Sequence, residues 1–230
     1  MPALTTATEI HTISATEQVF QTLYSAVITL ELAPGAKVSE AEIAKQLGVS
    51  RQPVRDAFYR LSALGFLRIQ PQRATRITHI SEQALKDARF IRTALEVECM
   101  RAAVKKITDA DIDHLEQLLE KQTRAISADE RLVFHELDDE FHRTLTEIAG
   151  HPKTWNLIRD QKVHLDRVRY LSLASGAQNA FDGHREILDC LRQRDAAGAE
   201  AKLRNHLSTI LEILDQVRAD HAEYFDGAKV

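Results

Sequence analysis

The chain has 230 residues, which is enough to bury a substantial core in one or two domains. Hydrophobic residues make up 44% and charged residues 28% of it, as in ordinary globular proteins, and no apolar run is long enough to span a membrane. The N-terminal residues also lack the pattern of a signal peptide, so we expect a cytoplasmic protein without membrane contact.

Charge is distributed unevenly along the chain. Residues 1–80 contain 8 Lys or Arg and 6 Asp or Glu, whereas residues 81–230 contain 22 and 28. A basic part therefore precedes an acidic part. We predict a DNA-binding domain over residues 1–80 and a separate domain over residues 81–230 that does not touch DNA.

The N-terminal part is predicted to begin with three helices. The first covers residues 16–29, where apolar residues recur at helical spacing. Ser39 and Glu42 have the pattern of a capping box at the start of the second helix, which ends at Gly48. Ser50 is the predicted N-cap of the third helix. Two helices joined by a short turn with a glycine are typical of a helix-turn-helix.

The exposed face of the third helix carries basic and amide side chains: Arg51, Gln52, Arg55 and either Tyr59 or Arg60. Recognition helices direct their N-terminal residues at base edges. There Arg suits guanine and Gln suits adenine, and either can instead hold a phosphate. The pattern therefore indicates a DNA-reading surface.

A wing is predicted after this helix. Residues 66–69 and 75–78 have strand character and flank a polar turn with Arg73 near its tip. A cationic tip suits the minor groove or the phosphates beside it. The N-terminal fold is therefore predicted to be a winged helix-turn-helix.

This region resembles the DNA-binding domain of GntR-family transcription regulators over most of residues 16–80. The resemblance is carried by PGAKVSEAEIAKQLGVSRQPVRDAFYRLSALGFL, and above all by VSRQPVRDA. It implies DNA contacts by Ser50, Arg51, Gln52 and Arg55, with Arg73 and Thr75 serving the wing. Ala41 and the Arg73-Ala74 pair depart from the family pattern, which leaves the operator sequence open.

Helical periodicity continues almost without interruption from Ser81. The predicted helices cover residues 81–105, 108–125, 127–149, 152–173, 177–193 and 195–223. Ser127 is one predicted N-cap, and Ser175-Gly176 is a predicted break. Short connections favour an antiparallel all-α bundle of six to seven helices, so the whole chain is predicted to be mainly α.

Three of these helices carry candidate metal ligands on inward faces. Asp138 and His142 lie four residues apart on one face, and His184 and His206 each lie beside apolar residues. Imidazole and carboxylate suit Zn, Ni, Mn or Fe and leave coordination positions for water or a ligand. Taken singly, each histidine is also common in a metal-free core, and His135 is a rival on the same helix. The spacing alone does not decide whether these residues bind a metal.

The C-terminal part resembles the FCD effector-binding domain of FadR-type GntR regulators. The resemblance rests on D-x-x-F-H at residues 138–142, H-x-x-I-L at residues 184–188 and the late His206-Leu207 pair. It implies a divalent transition metal, with zinc as the first candidate, bound by Asp138, His142, His184 and His206. It also implies small organic acids as ligands that complete the coordination.

Arg92 belongs to an Arg-x-x-Leu-Glu pattern of the same family and is implied as an effector contact. The alternative is a helix-surface salt bridge with Glu96, four residues further along the helix.

The resemblance implies a metabolite-responsive bacterial transcription regulator. We expect it to bind a palindromic double-stranded operator as a homodimer formed through residues 81–230, and to respond to an organic acid bound at the metal. Repression relieved by the ligand is the commoner mode in the family. Two alternatives stay open: a metal-dependent enzyme in the helical bundle, and a constitutive DNA-binding protein with a structural metal.

Overall fold

The computed structural model describes residues 14–70 and 73–227, except for the side chains of residues 173–175. The described residues form two compact units whose boundary lies between Thr78 and His79, close to the boundary predicted after residue 80. Among them, no helix combines the length and the apolar character needed to cross a membrane. The roles assigned to the two domains are not tested by this division and stay predictions.

The described part of the first unit contains three helices and a small antiparallel sheet. Its elements are α1 (Ala15–Ile28), β1 (Lys37–Val38), α2 (Glu40–Leu47), α3 (Arg51–Ala63), β2 (Leu67–Arg68) and β3 (Thr75–Ile77). The strand order is β1-β3-β2, with Val38 opposite Thr75 and Leu67 opposite Ile77. Val54 and other apolar residues of α3 are buried, which leaves its opposite face exposed. The predicted winged helix-turn-helix is confirmed.

The start of α2 differs from the predicted capping pattern. Ser39 occupies the N-cap position, but its side chain accepts no cap hydrogen bond, so the capping box with Glu42 is wrong. The acidic side chains of Glu40 and Glu42 instead lie at the positive end of the helix dipole. Gly48 ends α2 in the left-handed conformation, with φ 66°, where the absence of a side chain avoids strain.

The second unit is an all-α bundle. Its elements are α4 (Glu82–Lys106), α5 (Asp109–Ser127), α6 (Arg131–Ile148), α7 (Pro152–Arg192), α8 (Ala196–Glu212), α9 (Leu214–Asp220) and a 3₁₀ turn (Ala222–Tyr224). The main core combines buried residues from α4 to α8, such as Met100, Leu115, Phe141, Leu188 and Leu203. The predicted helical bundle is confirmed.

Three predicted helix boundaries in this unit are wrong. The Ser175-Gly176 pair does not interrupt α7, because a glycine inside a long helix costs only about 1 kcal/mol relative to alanine. Ser127 ends α5, and Glu130 is the N-cap of α6. The helix predicted over residues 195–223 is divided at Ile213.

The end of the described chain pairs with the start of the second unit. The backbone N–H of Ile80 donates to the carbonyl of Tyr224 at 2.8 Å, and the N–H of Asp226 donates to the carbonyl of Ile80 at 2.9 Å. Ile80 and Phe225 are both buried, in one hydrophobic cluster with Leu165. The residues that follow the wing in sequence are therefore held by residues near the C-terminus.

Candidate functional site

The candidate DNA-reading surface lies at the N-terminal end of α3. Arg51 and Arg55 are exposed, and their guanidinium groups lie 3.6 and 3.3 Å from the carboxylate of Glu40. Gln52 is also exposed and donates to Oδ1 of Asp56 at 2.9 Å. Exposed contacts of this kind contribute little to stability, so these side chains can exchange their partners for phosphates or base edges.

The structure also locates the other predicted DNA contacts. Ser50 and Arg73 are exposed, and Thr75 is half-buried at the start of β3. Residues 71–72, in the predicted turn of the wing, lie outside the described residues. The DNA contacts of Ser50, Arg73 and Thr75 stay predictions.

Tyr59 and Arg60, the two candidates for the far end of the exposed face of α3, differ in their surroundings. Tyr59 is 75% exposed. Arg60 instead donates to Glu17 at 2.7 Å and lies 3.6 Å from the ring centroid of Phe20. Tyr59 therefore extends the exposed face, whereas Arg60 supports packing within the unit.

Four titratable side chains form a buried cluster in the helical unit. Asp138 and His142 come from α6, His184 from α7 and His206 from α8. Each offers one ligand atom, and these atoms lie within 4.8 Å of one another. All four residues are buried. The structure thus brings together the four predicted ligands, while their binding of metal stays a prediction.

The spacing of the ligand atoms fits one metal ion. Nε2 of His142 lies 3.2 Å from Nε2 of His206 and 3.4 Å from Nε2 of His184. Nε2 of His184 lies 3.5 Å from Oδ1 of Asp138. Two ligands at about 2.0–2.1 Å from one tetrahedral zinc ion are about 3.3 Å apart. Three nitrogens and one carboxylate at this spacing are therefore a suitable donor set for a divalent transition metal.

Polar groups from other helices lie beside Nδ1 of two of the imidazoles. Nδ1 of His142 lies 2.7 Å from Oε2 of Glu96 on α4. Nδ1 of His184 lies 2.9 Å from Oε1 of Gln122 on α5, whose amide donates to the carbonyl of Leu137 at 3.0 Å. A proton on Nδ1 leaves the Nε2 lone pair directed into the cluster, as in metal sites with an ordered second sphere. No motif in the sequence predicts these positions of Glu96 and Gln122.

Gly183 permits close packing around His206. A Cβ at residue 183 would lie 2.6 Å from Nδ1 of His206, which is closer than real Cβ contacts. The role of Gly183 was not predicted from the sequence. Its signal was a glycine directly before His184 inside a helical pattern, which indicates a packing requirement.

Electrostatics favour the protonation states that bind metal. Burial lowers the pKa of His184 to about 3, against the opposing effect of Asp138. Burial, and then His184 and His142, lower the pKa of His206 well below its usual value. Burial raises the pKa of Asp138, but Arg169 and His142 outweigh it and hold that pKa well below its usual range. At neutral pH the cluster therefore contains neutral imidazoles of His184 and His206 beside a carboxylate.

A cavity of about 60 Å³ adjoins the cluster and is lined by His206, Arg92 and Arg169, among others. Arg92 pairs with Glu96, and Arg169 pairs with Asp138. Nη2 of Arg92 and Nη1 of Arg169 are nevertheless buried without a hydrogen-bond partner in the described part of the protein. Buried N–H groups without an acceptor are unfavourable, so the cavity suits a small anion that accepts from both arginines.

The structure shows where the residues of two sequence-based alternatives lie, while the effector role of Arg92 stays a prediction. The salt bridge of Arg92 with Glu96 exists, but it does not lie on the helix surface, because each residue is 4% exposed. His135 lies outside the cluster, with Nε2 at 3.6 Å from Oδ1 of Asp166. His135 is therefore not among the residues whose ligand atoms converge.

Comparisons with known proteins identify the family. Residues 15–77 match the model of bacterial regulatory proteins of the gntR family, and residues 87–209 match the model of the FCD domain. This chain is a GntR-family transcription regulator. The FCD domain agrees with the FadR-like subfamily.

Relatives of this GntR-family regulator extend over most of its length. The HTH-type transcriptional repressor RspR of Escherichia coli (strain K12) is 36% identical over 211 residues, which cover 91% of this chain and 92% of RspR. The probable D-xylose utilization operon transcriptional repressor of Paenarthrobacter nicotinovorans is 32% identical over 186 residues, covering 77% and 78% of the two chains. The relatives and both domains are those of transcription regulators, so the enzyme alternative is set aside.

A solved structure agrees with the fold of the GntR-family regulator. E. coli McbR/YncC superposes with a TM-score of 0.75 at 24% identity, over 89% of this chain and 99% of that chain. This likeness supports a winged helix-turn-helix followed by a helical domain.

Proposed function

We propose that this regulator binds a palindromic operator as a homodimer, and that a small organic acid bound at a metal site in the helical unit changes its affinity for DNA. The relatives named as repressors support repression as the mode of action, with relief by the acid. The first unit reads DNA, and the second binds the effector and dimerises. We infer activity in the cytoplasm, where the operator DNA is found.

On DNA, we assign base reading to Arg51 and Gln52 at the start of α3. Ser50 and Arg55 border this surface and suit phosphate contacts, while Arg73 and Thr75 belong to the wing. The proposal is supported by the exposure of Arg51, Gln52 and Arg55 and by their weak partners. A homodimer would present two such surfaces to half-sites related by a two-fold axis.

The observation that carries the effector proposal is the cavity between two arginines and the histidine cluster. Arg92 and Arg169 each keep one buried N–H group without an acceptor among the described residues. A carboxylate accepts such hydrogen bonds well and compensates the buried charge. The volume of about 60 Å³ has room for about four to six water-sized groups, so it suits a small acid.

A metal held by Asp138, His142, His184 and His206 would act as a Lewis acid toward an anionic ligand. Zinc is the first candidate because of the ligand spacing, and nickel, manganese and iron also accept nitrogen and oxygen donors. The arginines would orient the acid through their charge. Apolar residues of the lining would exclude water from the cavity.

The cavity also reaches the hydrophobic cluster at the start of the helical unit. Leu165 lines the cavity and belongs to the cluster that buries Ile80 and Phe225. Ile80 lies only a few residues after β3 of the wing in sequence. An acid that binds one arrangement of this cluster better than another would shift the equilibrium that sets DNA affinity.

The test combines thermal unfolding with DNA binding. Chelator-treated and Zn²⁺-loaded samples are screened against small mono- and dicarboxylic acids, and each stabilising acid is then added to a titration with duplex DNA that the protein selected from a random pool. We expect an acid that raises Tm only with Zn²⁺ present and that changes the Kd for DNA. An equal rise without metal would contradict the metal site. Unchanged DNA affinity with the acid bound would favour the constitutive DNA-binding protein.

A matched pair of variants checks the role of Arg92. Arg92→Gln is expected to remove most of the acid-dependent rise in Tm, because the buried charge is lost. Arg101→Gln changes an exposed arginine of the same helix and should keep the rise. Equal effects of the two variants would contradict the assignment.

A further inference from the structure

One buried carboxylate joins the effector-contact arginine to a metal ligand. Glu96 lies on α4 and is 4% exposed. Its Oε1 accepts a hydrogen bond from Nε of Arg92, on the preceding turn of the same helix. Its Oε2 lies 2.7 Å from Nδ1 of His142, which comes from α6. The two sites are therefore separated by a single side chain.

We propose that Glu96 is a positioning residue through which Arg92 controls the strength of His142 as a metal ligand. This inference rests on the metal site and the organic-acid effector proposed above, and it states how the two are coupled. Arg92 is then more than a contact for the acid, since its partner also orients an imidazole of the metal site.

The coupling follows from competition for one carboxylate. A carboxylate that accepts from Nδ1–H of a metal-bound histidine orients the ring and makes Nε2 a stronger ligand. The adjacent Arg92 guanidinium compensates part of the charge that Glu96 offers to His142. An acid that accepts from the free Nη2 of Arg92 shares the guanidinium charge, so Glu96 acts more strongly on His142.

This arrangement predicts a reciprocal effect. If the acid strengthens His142 as a ligand through Glu96, the bound metal must strengthen acid binding by the same factor. That linkage adds to any direct bond between the acid and the metal. This coupling would account for the buried Glu96 between Arg92 and His142. A buried ion pair such as Arg92 and Glu96 contributes little to stability by itself.

His184 provides a contrast within the same cluster. Its Nδ1 is held by the neutral amide of Gln122, whose other end donates to the backbone carbonyl of Leu137. Gln122 is not in the lining of the cavity. Of these two orienting groups, only Glu96 is charged and paired with a residue of the effector cavity.

The test measures Zn²⁺ affinity of the full chain by competition with a fluorescent chelator. Glu96→Gln should weaken Zn²⁺ binding by about 10–100-fold. Glu98→Gln, which changes an exposed glutamate on the same helix, should leave the affinity unchanged. Arg92→Gln should strengthen Zn²⁺ binding by about fivefold or more in the wild-type background, and much less in the Glu96→Gln background.

The double-mutant comparison distinguishes the coupling from other effects of Arg92. An equal gain from Arg92→Gln in both backgrounds would show a direct electrostatic effect on the metal and would overturn the inference. Unchanged Zn²⁺ affinity in Glu96→Gln would overturn the inference alone, because the wild-type site would still bind metal. A wild-type protein that binds no Zn²⁺ would overturn the proposed metal site as well.

Folding of each chelator-treated variant is checked by circular dichroism and thermal unfolding. If Glu96→Gln does not fold, Glu96→Asp takes its place in the cycle, because it keeps the charge but is one methylene shorter. The expectation is the same: Arg92→Gln should strengthen Zn²⁺ binding less in that background than in the wild type.

Discussion

Several buried charged residues of the helical unit lie beside a partner of opposite charge. Burial raises the pKa of Glu96, but Arg92 and His142 outweigh it and lower that pKa to about 2. Lys162 is 1% exposed and lies 2.6 Å from Asp166. Breaking one buried pair leaves an uncompensated charge and costs about 3–5 kcal/mol. Substitutions that keep the side-chain shape, or that change both partners of a pair, should therefore disturb folding less than the removal of one charged side chain.

On the proposed DNA-reading face, Arg51→Ala is expected to reduce operator affinity by about 1–3 kcal/mol and to relax base preference, because the proposed two-point contact with a base would be lost. Fluorescence anisotropy with the selected duplex and with random duplex measures both effects. Arg124→Ala, an exposed arginine of α5, serves as the control. Equal losses on the two duplexes would make Arg51 a phosphate contact instead.

At the proposed metal site, Gly183→Ala is expected to weaken Zn²⁺ binding by about tenfold or more, because the added Cβ meets Nδ1 of His206 at 2.6 Å and displaces the ring. Isothermal titration with Zn²⁺ measures the change. Gly176 lies on the same helix, and a Cβ there would be 3.6 Å from its nearest neighbour, Oγ of Ser172. Gly176→Ala should therefore retain Zn²⁺ affinity. Wild-type affinity in Gly183→Ala would contradict the role of this glycine.

Among the helices, α7 spans two elements that the sequence predicts as separate helices. It is continuous over Pro152–Arg192 and carries both Arg169 of the cavity and the proposed ligand His184. The prediction of a break relied on the Ser175-Gly176 pair, whose local preference is weak. Packing along the helix outweighs a penalty of about 1 kcal/mol for one glycine.

Gly176→Ala is expected to stabilise the protein by about 0.5–1 kcal/mol, because the helix interior disfavours glycine and the Cβ has space. Urea unfolding followed by circular dichroism measures the free energy of unfolding. Ala177→Gly, one residue further along α7, should have the opposite sign. A loss of stability in Gly176→Ala would indicate that this part of α7 needs its glycine.

For the whole molecule, buried titratable groups link stability to pH. The pKa of His184 is lowered to about 3 in the folded protein from an ordinary value of 6.5, so the unfolded chain binds a proton first as the pH falls. His184 therefore leaves the free energy of unfolding unchanged above about pH 6.5 and lowers it progressively as the pH falls from 6.5 toward 3. The lowered pKa of Glu96 acts in the same direction, but only below an ordinary value of 4.5.

Chelator-treated protein should therefore have a lower Tm at pH 5 than at pH 7.5. Well below pH 6.5, each histidine that stays neutral when folded reduces stability by about 1.4 kcal/mol per pH unit. Differential scanning calorimetry of the wild type and His184→Asn measures this, and the variant should depend less on pH. His114→Asn, at an exposed site on α5, should behave like the wild type. Equal Tm values at the two pH values would contradict the argument.

Local patterns in the sequence were sufficient for the winged helix-turn-helix and for the class of the helical unit. The left-handed Gly48, the apolar period around Val54 and the exposed face at Arg51 depend on neighbours within a few residues, so they can be read from the chain. The four cluster residues can also be predicted, partly from spacing and partly from family resemblance.

Tertiary structure alone decided what surrounds them. Gln122 lies 62 positions from His184, and Glu96 and His142 belong to different helices, yet each pair is within hydrogen-bonding distance. The close approach of Gly183 to His206 and the buried arginines around one cavity have the same origin. Helical periodicity shows which face of a helix is buried, but not which other helix it meets. Those neighbours are set by packing of the whole bundle, where side chains from distant parts of the chain share one interior.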